Sequence, residues 1–222
     1  MSDWIAADWD APGQIVAGTS LRGADNAPLP LPGKPCWLNQ VHGANVVTAG
    51  HFDEPPEADA SVKGLAPCGA NNPFLCVVRT ADCLPVLMCS NDGGIFAAAH
   101  AGWRGLAAGV IENTISKLSI EPANLLVWLG PAISQAAFEV GDEVRDVFLA
   151  HDPVASACFE PNARGRWQAD LYGLARQRLQ AAGVRAVSGG EFCTYSDNER
   201  FYSYRRNPDC GRLVSFIGQK AP

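Results

Sequence analysis

The sequence alternates short apolar runs with breaks that contain glycine or proline, and this alternation narrows the possible folds more than any other feature. The 222 residues include 22 glycines and 16 prolines, which lie between the apolar runs and interrupt them. Frequent glycine and proline between short apolar runs favours many short strands joined by turns. Residues 74–78 and 95–99 are typical runs, with the length of a strand and not of a membrane-spanning helix. We therefore predict no membrane span.

Hydrophobic periodicity predicts the individual elements. Strands are predicted over residues 14–18, 36–41, 45–49, 74–79, 85–89, 95–100, 125–129, 184–187 and 213–217. Apolar residues at helical spacing predict one helix after residue 105, one over 141–150 with Val144, Val147 and Phe148 inward, and one over 170–182. Because strands and helices are mixed, we predict one layered domain over residues 1–222, of the α/β (α+β) class, with mixed β-sheets inside and helices outside.

Composition indicates a compartment and excludes some partners. Hydrophobic residues make up 47% of the chain and charged residues 18%, which is enough apolar material for a sizeable core. The formal charge of −6 opposes nucleic-acid binding, yet it is compatible with a local basic pocket for one small anion. Residues 1–14 contain no secretory signal pattern, and the eight cysteines include no C-x-x-C pair. We expect a cytoplasmic protein with free thiols.

Two of the four histidines stand in a setting that differs from the others. His42 and His100 each follow an apolar run and precede a glycine-containing turn, and Cys83 has a comparable position. Two imidazoles and one thiolate suit Zn²⁺, and three protein ligands leave one position for water or substrate, as in catalytic sites. The same set suits Cu²⁺. On spacing alone the alternative stays open that these are hydrogen-bonded histidines and a buried thiol.

Several sequence blocks, taken together, resemble one known family. The blocks are NQVHG at 39–43, ADA at 58–60, TADCLPV at 80–86, AHAGWRG at 99–105, LGPAI at 129–133, FEVG at 138–141, DL at 170–171, CTY at 193–195 and FYSYRR at 201–206. In this order, over nearly the whole chain from about residue 18 to 217, they are similar to the signature blocks of the YfiH, or laccase-domain, family.

The resemblance implies a fold, a metal site and an activity. Members of the family are α/β domains of stacked layers, and they have been compared with deamidating toxins that use a Cys–His pair. They were first described as copper polyphenol oxidases. They are now described as zinc-containing purine nucleoside phosphorylases that also cleave methylthioadenosine and deaminate adenosine. By motif, the family's metal ligands correspond to His42, Cys83 and His100.

Other motif residues are candidates for catalysis and substrate binding. Asp82 and Arg104 are the predicted catalytic residues, and the predicted substrate-binding residues are Gln40, Asp59, Cys193, Tyr202, Arg205 and Arg206. Guanidinium groups suit phosphate, an aromatic ring such as that of Tyr202 or Trp103 suits a purine, and a carboxylate suits proton transfer. The alternatives are ordinary: a solvated arginine, a core aromatic, a buried thiol at Cys193, or an Asp82 that orients a ligand or caps a turn.

Three activities follow as hypotheses. The first is a zinc-dependent phosphorylase for adenosine, inosine and methylthioadenosine, with adenosine deaminase activity and with nucleoside and phosphate as its partners. The second is a copper polyphenol oxidase. The four histidines of the chain argue against a multi-copper cluster, because such a cluster needs many imidazoles. The third is a hydrolase that uses Cys83 as nucleophile and His100 as base, a class that the family links to the editing of cell-wall precursors. A non-enzymatic binding module is a more distant fourth.

Overall fold

Two large mixed sheets form the centre of the protein. The computed structural model describes residues 3–24, 28–30, 33–64 and 74–220. The strands are β1 Trp4–Ala6, β2 Ile15–Ser20, β3 Lys34–Cys36, β4 Val46–Thr48, β5 Ala60–Lys63, β6 Phe74–Thr80, β7 Leu84–Ser90, β8 Phe96–Ala101, β9 Leu125–Leu129, β10 Glu139–Val140, β11 Phe159–Pro161, β12 Trp167–Ala169, β13 Ala186–Gly189 and β14 Leu213–Gln219. The α-helices are α1 Trp103–Ala107, α2 Val110–Leu118, α3 Asp142–His151 and α4 Leu171–Ala181.

The strand order explains why both large sheets are mixed. One sheet has the order β1-β2-β14-β6-β3, the other has the order β13-β9-β7-β8-β5-β4, and a small third sheet has the order β10-β12-β11. Three pairs are parallel, namely β3 with β6, β4 with β5 and β13 with β9, and the other pairs are antiparallel. The predicted mixed α/β class is therefore confirmed.

The six-stranded sheet is covered on both faces, which accounts for its apolar sequence. Along β7, Val86 and Met88 pack in the cluster that contains the residues of α2 and α4, whereas Leu87 and Cys89 pack in the cluster that contains residues of the five-stranded sheet. All seven residues of β7 are buried. A strand that is buried on both faces has a continuous apolar sequence instead of an alternating one, as β7 does. None of the helices in the described ranges is long and apolar enough to cross a membrane.

Three predictions of local structure need correction. The strand expected over 36–41 ends at Cys36: beyond it Asn39 forms only an isolated bridge with Glu57, and the backbone N–H of Val41 donates to the Asp59 carboxylate instead of to a neighbouring strand. The helix expected after residue 105 is divided into α1 and α2 at Gly109, whose φ is 91°. Val147, expected inward, is 47% exposed, since the buried stripe of α3 runs through Val144 and Phe148, four residues apart.

Leu87 offers a test of the packing between the two large sheets. Its side chain is fully buried, so we expect Leu87→Ala to lower the free energy of unfolding by about 2–5 kcal/mol. The matched control Val147→Ala truncates an exposed side chain and is expected to change it by less than about 0.5 kcal/mol. Urea titrations followed by circular dichroism measure both values. Equal midpoints for the two variants would contradict the assigned packing.

Candidate metal centre

Three chain segments bring His42, Cys83 and His100 together at one end of the six-stranded sheet. β7 and β8 pair antiparallel with Pro85 opposite His100, so Cys83, which directly precedes β7, comes next to the end of β8. His42 lies in an irregular segment before β4. The expectation that each residue stands at a strand boundary is therefore met by Cys83 and His100, whereas no regular strand leads to His42.

The three side chains are spaced as a metal site requires. Their ligand atoms all lie within 4.8 Å of one another, and the two imidazole centroids are 4.8 Å apart. His42 is exposed, Cys83 is half-buried and His100 is buried, so the group faces solvent on the His42 side. Among the residues that the structure describes, it is the one set of three or more His, Cys, Asp or Glu side chains with this spacing.

A single buried carboxylate positions both histidines. Asp59 is fully buried, and its Oδ1 lies 2.8 Å from His100 Nδ1 and accepts a hydrogen bond of 2.9 Å from the backbone N–H of His42. Its Oδ2 accepts backbone bonds from Gly43 at 2.7 Å and Val41 at 3.3 Å. Because a carboxylate accepts, His100 donates through Nδ1 and keeps Nε2 available as a ligand atom.

Backbone strain is concentrated at the same place. In the described part of the chain, three residues other than glycine have positive φ, and two of them are His42 at 58° and Asp82 at 82°. Strained backbone of this kind clusters at functional sites and persists only where the surroundings hold it. At His42, hydrogen bonds to Asp59 hold the backbone in this conformation. At Asp82 the carboxylate does so, through bonds from Thr194 Oγ1 at 2.6 Å, Ser203 Oγ at 3.0 Å and the backbone N–H of Arg205 at 2.7 Å.

The turn after β8 has no room for a side chain at residue 102. A Cβ built on Gly102 would stand 2.8 Å from Cys83 Sγ and 3.4 Å from His42 Cδ2. Since the first distance is closer than real Cβ contacts, any larger residue would push the thiol out of the group. Gly102 therefore allows the backbone that follows His100 to approach the other two candidate ligands.

Hydrogen bonds within the group favour an ionised thiol. Burial opposes ionisation of Cys83, but hydrogen bonds to His100 and His42 outweigh it and lower the pKa of the thiol to about 6. Burial likewise disfavours a charged His100, yet its bonds to Asp59 and Cys83 raise the pKa of that imidazole to about 9. For Asp59, burial acts to raise the pKa, and the bonds from His100 and Gly43 reverse the effect, so the pKa is lowered.

Two cavities meet at the candidate ligands. The larger, of about 590 Å³, is lined by all three ligands and also by Gln40, Arg79, Arg104, Tyr204 and Arg212, among others. The smaller, of about 240 Å³, is lined by His42 and Cys83 together with Asp82, Trp103, Arg104, Phe138, Tyr204 and Arg205, among others. The larger cavity is thus rich in guanidinium groups and the smaller one in aromatic rings.

Four residues predicted for catalysis or substrate binding line these cavities. Arg104 lines both, with its guanidinium 4.4 Å from the ring centroid of Trp103. Asp82 and Arg205 line the smaller cavity. Gln40 lines the larger, although its amide is engaged with the Arg79 backbone, donating to the carbonyl at 2.9 Å and accepting from the N–H at 2.7 Å.

The other four predicted substrate-binding residues lie elsewhere. Asp59 is fully buried, contacts His100 at 2.8 Å and lines neither cavity. Tyr202 accepts a hydrogen bond from the Gly23 N–H, and it lines neither cavity. Arg206 donates to the carbonyls of residues 194, 195 and 201, which ties down its own loop. Cys193 contacts Ser134 at 3.0 Å and lines a separate surface cavity.

Sequence reasoning missed three residues of the cavity walls. Arg79 is the second-to-last residue of β6, directly after an apolar run, and this charged residue was the available signal. Tyr204 belongs to the same FYSYRR block as Tyr202, but the block alone does not indicate which tyrosine faces the site. Arg212 lies outside the family blocks, so no motif marked it.

The Asp59 contacts predict that this carboxylate supports metal binding. We expect Asp59→Asn to weaken zinc affinity by roughly 10–100-fold, because an amide neither fixes the His100 tautomer nor balances its charge equally well. Competition with a chromophoric chelator measures the affinity. Asp53→Asn is the matched control, since Asp53 is fully exposed beside His51. An unchanged affinity in a folded Asp59→Asn protein would refute the assigned role.

The pKa of Cys83 predicts a pH profile for the metal-free protein. As pH rises through about 6, the thiolate fraction grows, so alkylation by iodoacetamide should reach its full rate near neutral pH. Burial raises the pKa of Cys76 and of Cys89 to about 12, so both should stay unlabelled. Mass spectrometry locates the label, and added zinc should block it. A labelling midpoint above pH 8 at Cys83 would contradict this account.

Comparison with known proteins gives a consistent result. A family model described as multi-copper polyphenol oxidoreductase laccase matches residues 16–220. A protein of Pseudomonas aeruginosa named purine nucleoside phosphorylase is 44% identical over 98% of this chain and 98% of its own length. Escherichia coli K12 YfiH, also named a purine nucleoside phosphorylase, is 52% identical over 84% of this chain and 74% of its own length.

A solved structure extends the agreement to the fold. The crystal structure of a Neisseria meningitidis protein, 38% identical in sequence, matches with a TM-score of 0.89 over 99% of this chain and 100% of that one. The resemblance inferred from the motif blocks is thereby confirmed. By sequence and by fold, this chain belongs to the family of multi-copper polyphenol oxidoreductase laccases, which is the YfiH or laccase-domain family.

Proposed function

We propose that this protein is a zinc-dependent purine nucleoside phosphorylase that cleaves inosine, adenosine and methylthioadenosine with phosphate and also deaminates adenosine. The main observation in its support is that the ligand group of His42, Cys83 and His100 stands where an arginine-rich and an aromatic cavity meet. Relatives named purine nucleoside phosphorylase, at up to 52% identity, support an enzyme of this substrate class.

The donor set fits zinc. Imidazole nitrogen and thiolate sulfur are both zinc donors, with bonds of about 2.0–2.3 Å, and three protein ligands with one open position are the catalytic pattern. The widest ligand pair, at up to 4.8 Å, must close by roughly 1 Å to share an ion with such bonds. His42 is the exposed member, so its side chain has the freedom to make this adjustment. When bound, zinc supplies Lewis acidity and lowers the pKa of a coordinated water to about 7.

The cavity walls suit the parts of a nucleoside. Phosphorolysis forms a bond between a phosphate oxygen and C1′ of the ribose and breaks the bond from C1′ to the base nitrogen, whose electron pair leaves with the base. Trp103, Phe138 and Tyr204 line the smaller cavity, and aromatic rings suit contact with a purine. Arg205, which lines the same cavity, is a donor for the charge that develops on the base.

Asp82 is the carboxylate proposed for proton transfer, including the transfer that deamination requires. It lines the smaller cavity, unlike Asp59. Its Oδ2 accepts two hydrogen bonds, from Ser203 and from Arg205, whereas its Oδ1 accepts one, from Thr194. A carboxylate oxygen has two lone pairs, so Oδ1 keeps accepting capacity for a substrate.

Incubation with inosine and phosphate tests the proposal. Zinc-loaded protein should release hypoxanthine only with phosphate present, and adenosine should also yield inosine by deamination, both followed by chromatography. We expect His42→Asn to lower kcat/KM by about a hundredfold or more, since even the outer partners of metal ligands contribute roughly 10–100-fold. Asparagine tolerates the positive φ at residue 42, so the backbone is not strained by the change.

The matched control is His51→Asn, which makes the same change at an exposed histidine outside the group. It should leave kcat/KM unchanged. If protein with a confirmed zinc content releases no base from inosine or from adenosine in phosphate, the phosphorylase proposal fails.

A Cys–His hydrolase, such as an amidase acting on cell-wall precursors, is a second candidate with its own structural support. Cys83 is hydrogen-bonded to His100, and His100 contacts Asp59 at 2.8 Å, which is the order of nucleophile, base and orienting carboxylate. A zinc-bound thiolate cannot serve as a free nucleophile, so a molecule with zinc bound to Cys83 cannot act by the hydrolase mechanism. Full metal occupancy in Cys83→Ser would favour the hydrolase.

Copper polyphenol oxidation is a third candidate, supported by the description of the family model. Of the four histidines, only His42 and His100 belong to the ligand group, and His51 and His151 are exposed. Two imidazoles and one thiolate provide for one copper ion per chain. Elemental analysis of protein purified without added metal separates copper from zinc.

A further inference from the structure

Three arginines line the larger cavity. They are Arg79, Arg104 and Arg212, and the described residues that line this cavity include no aspartate or glutamate. None of the three forms an ion pair within the described part of the chain. In a chain with a formal charge of −6, this is a local concentration of unneutralised positive charge. Such a concentration attracts an anion into the cavity.

Each of the three guanidinium groups lies against an aromatic ring. The pairs are Arg79 with Trp37 at 4.2 Å, Arg104 with Trp103 at 4.4 Å and Arg212 with Tyr204 at 5.8 Å from the ring centroid. A ring partner occupies the face of the guanidinium plane and leaves the N–H groups at its edge available to an acceptor. Stacking therefore restrains the three cations without using their donors.

The chain also holds these arginines in position through their neighbours. Gln40 pairs with both backbone groups of Arg79, as described above. Arg212 donates from Nη1 to the carbonyls of Cys210 at 2.7 Å and Gly211 at 3.1 Å, so its Nε and Nη2 donors stay available. A site whose donors are already in place loses less entropy when it binds its ligand.

The arginine pair predicted from the sequence lies outside the larger cavity. Arg206 donates from both terminal nitrogens to backbone carbonyls and lines neither cavity. Arg205 donates to the carbonyl of Glu139 at 3.1 Å and lines only the smaller cavity. The arginines placed to bind an anion in the larger cavity therefore include Arg79 and Arg212 and not this pair.

We propose that Arg79, Arg104 and Arg212 form the binding subsite for inorganic phosphate, and that the base occupies the aromatic cavity on the other side of the metal ligands. This inference rests on the proposed phosphorylase function. Attack on C1′ from the side opposite the departing base requires the two groups to approach the ribose from different directions. The two cavities share His42 and Cys83 but differ in most of their other lining residues, and in this proposal the phosphate reaches the ribose from one cavity and the base lies in the other.

Direct binding of inorganic phosphate tests the subsite without any turnover. Isothermal titration of the zinc-loaded protein with phosphate should give a Kd that rises by about tenfold or more in Arg79→Gln and in Arg212→Gln, because each removes charged hydrogen bonds. Arg145→Gln is the matched control, since Arg145 also stacks on a ring, that of Trp167 at 4.3 Å, but lines neither cavity. It should leave the Kd unchanged.

Kinetics separate this inference from the function on which it rests. In phosphorolysis of inosine, the two variants should raise the KM for phosphate and leave the KM for inosine nearly constant. If they weaken phosphate binding but even the unmodified protein releases no base, the subsite stands and the phosphorylase proposal fails. If base is released and both variants keep the original Kd and KM for phosphate, the subsite is refuted. Should a glutamine variant not fold, Arg79→Lys and Arg212→Lys, which keep the charge but lose the fork, replace it.

Discussion

The contact between the Asp59 carboxylate and the two histidine segments is the constraint on which the candidate centre depends. The loop at residues 41–43 has no strand ladder to support it, and its three backbone N–H groups instead converge on this carboxylate. The same group fixes the ring of His100. A buried charge is stable only when it is paired and hydrogen-bonded, and here the partners that satisfy it are the groups that must be aligned. Folding of the loop and assembly of the ligand set are thus one event.

Asp82, the residue directly before Cys83, also holds separate chain segments together. Its carboxylate gathers three donors from residues 194–205, far along the chain, and so attaches that segment to the turn that presents the thiol. The segment in turn supplies Tyr204 and Arg205 to the cavity walls. Two aspartates in two different motifs therefore each hold part of the candidate site. Asp59 holds the two histidine segments, and Asp82 holds the segment that contributes Tyr204 and Arg205 to the cavity walls.

Patterns in the sequence predicted the interior better than the rim. Apolar runs such as β7 and β9 were located to within a residue or so, because burial on both faces leaves a continuous signal. The family blocks brought together the three candidate ligands. The choice of Tyr202 over Tyr204, and the omission of Arg79 and Arg212, have a different origin. Which side chains share a cavity depends on how two sheets pack, and no local pattern records that geometry. The burial of Asp59 was not predicted for the same reason, since a motif shows a carboxylate but not its exposure.

The left-handed backbone at His42 has a consequence for how this centre can change over evolutionary time. Among residue types that coordinate metals, histidine, aspartate and asparagine adopt this conformation most readily, whereas cysteine has no such preference. Among replacements of His42, those with an oxygen donor are therefore favoured over a second thiolate. Substitution here would move the site toward harder cations, or empty it, more readily than it would produce a sulfur-rich cluster. The torsion angle at residue 42 thus restricts which donor atoms can replace this imidazole without backbone strain.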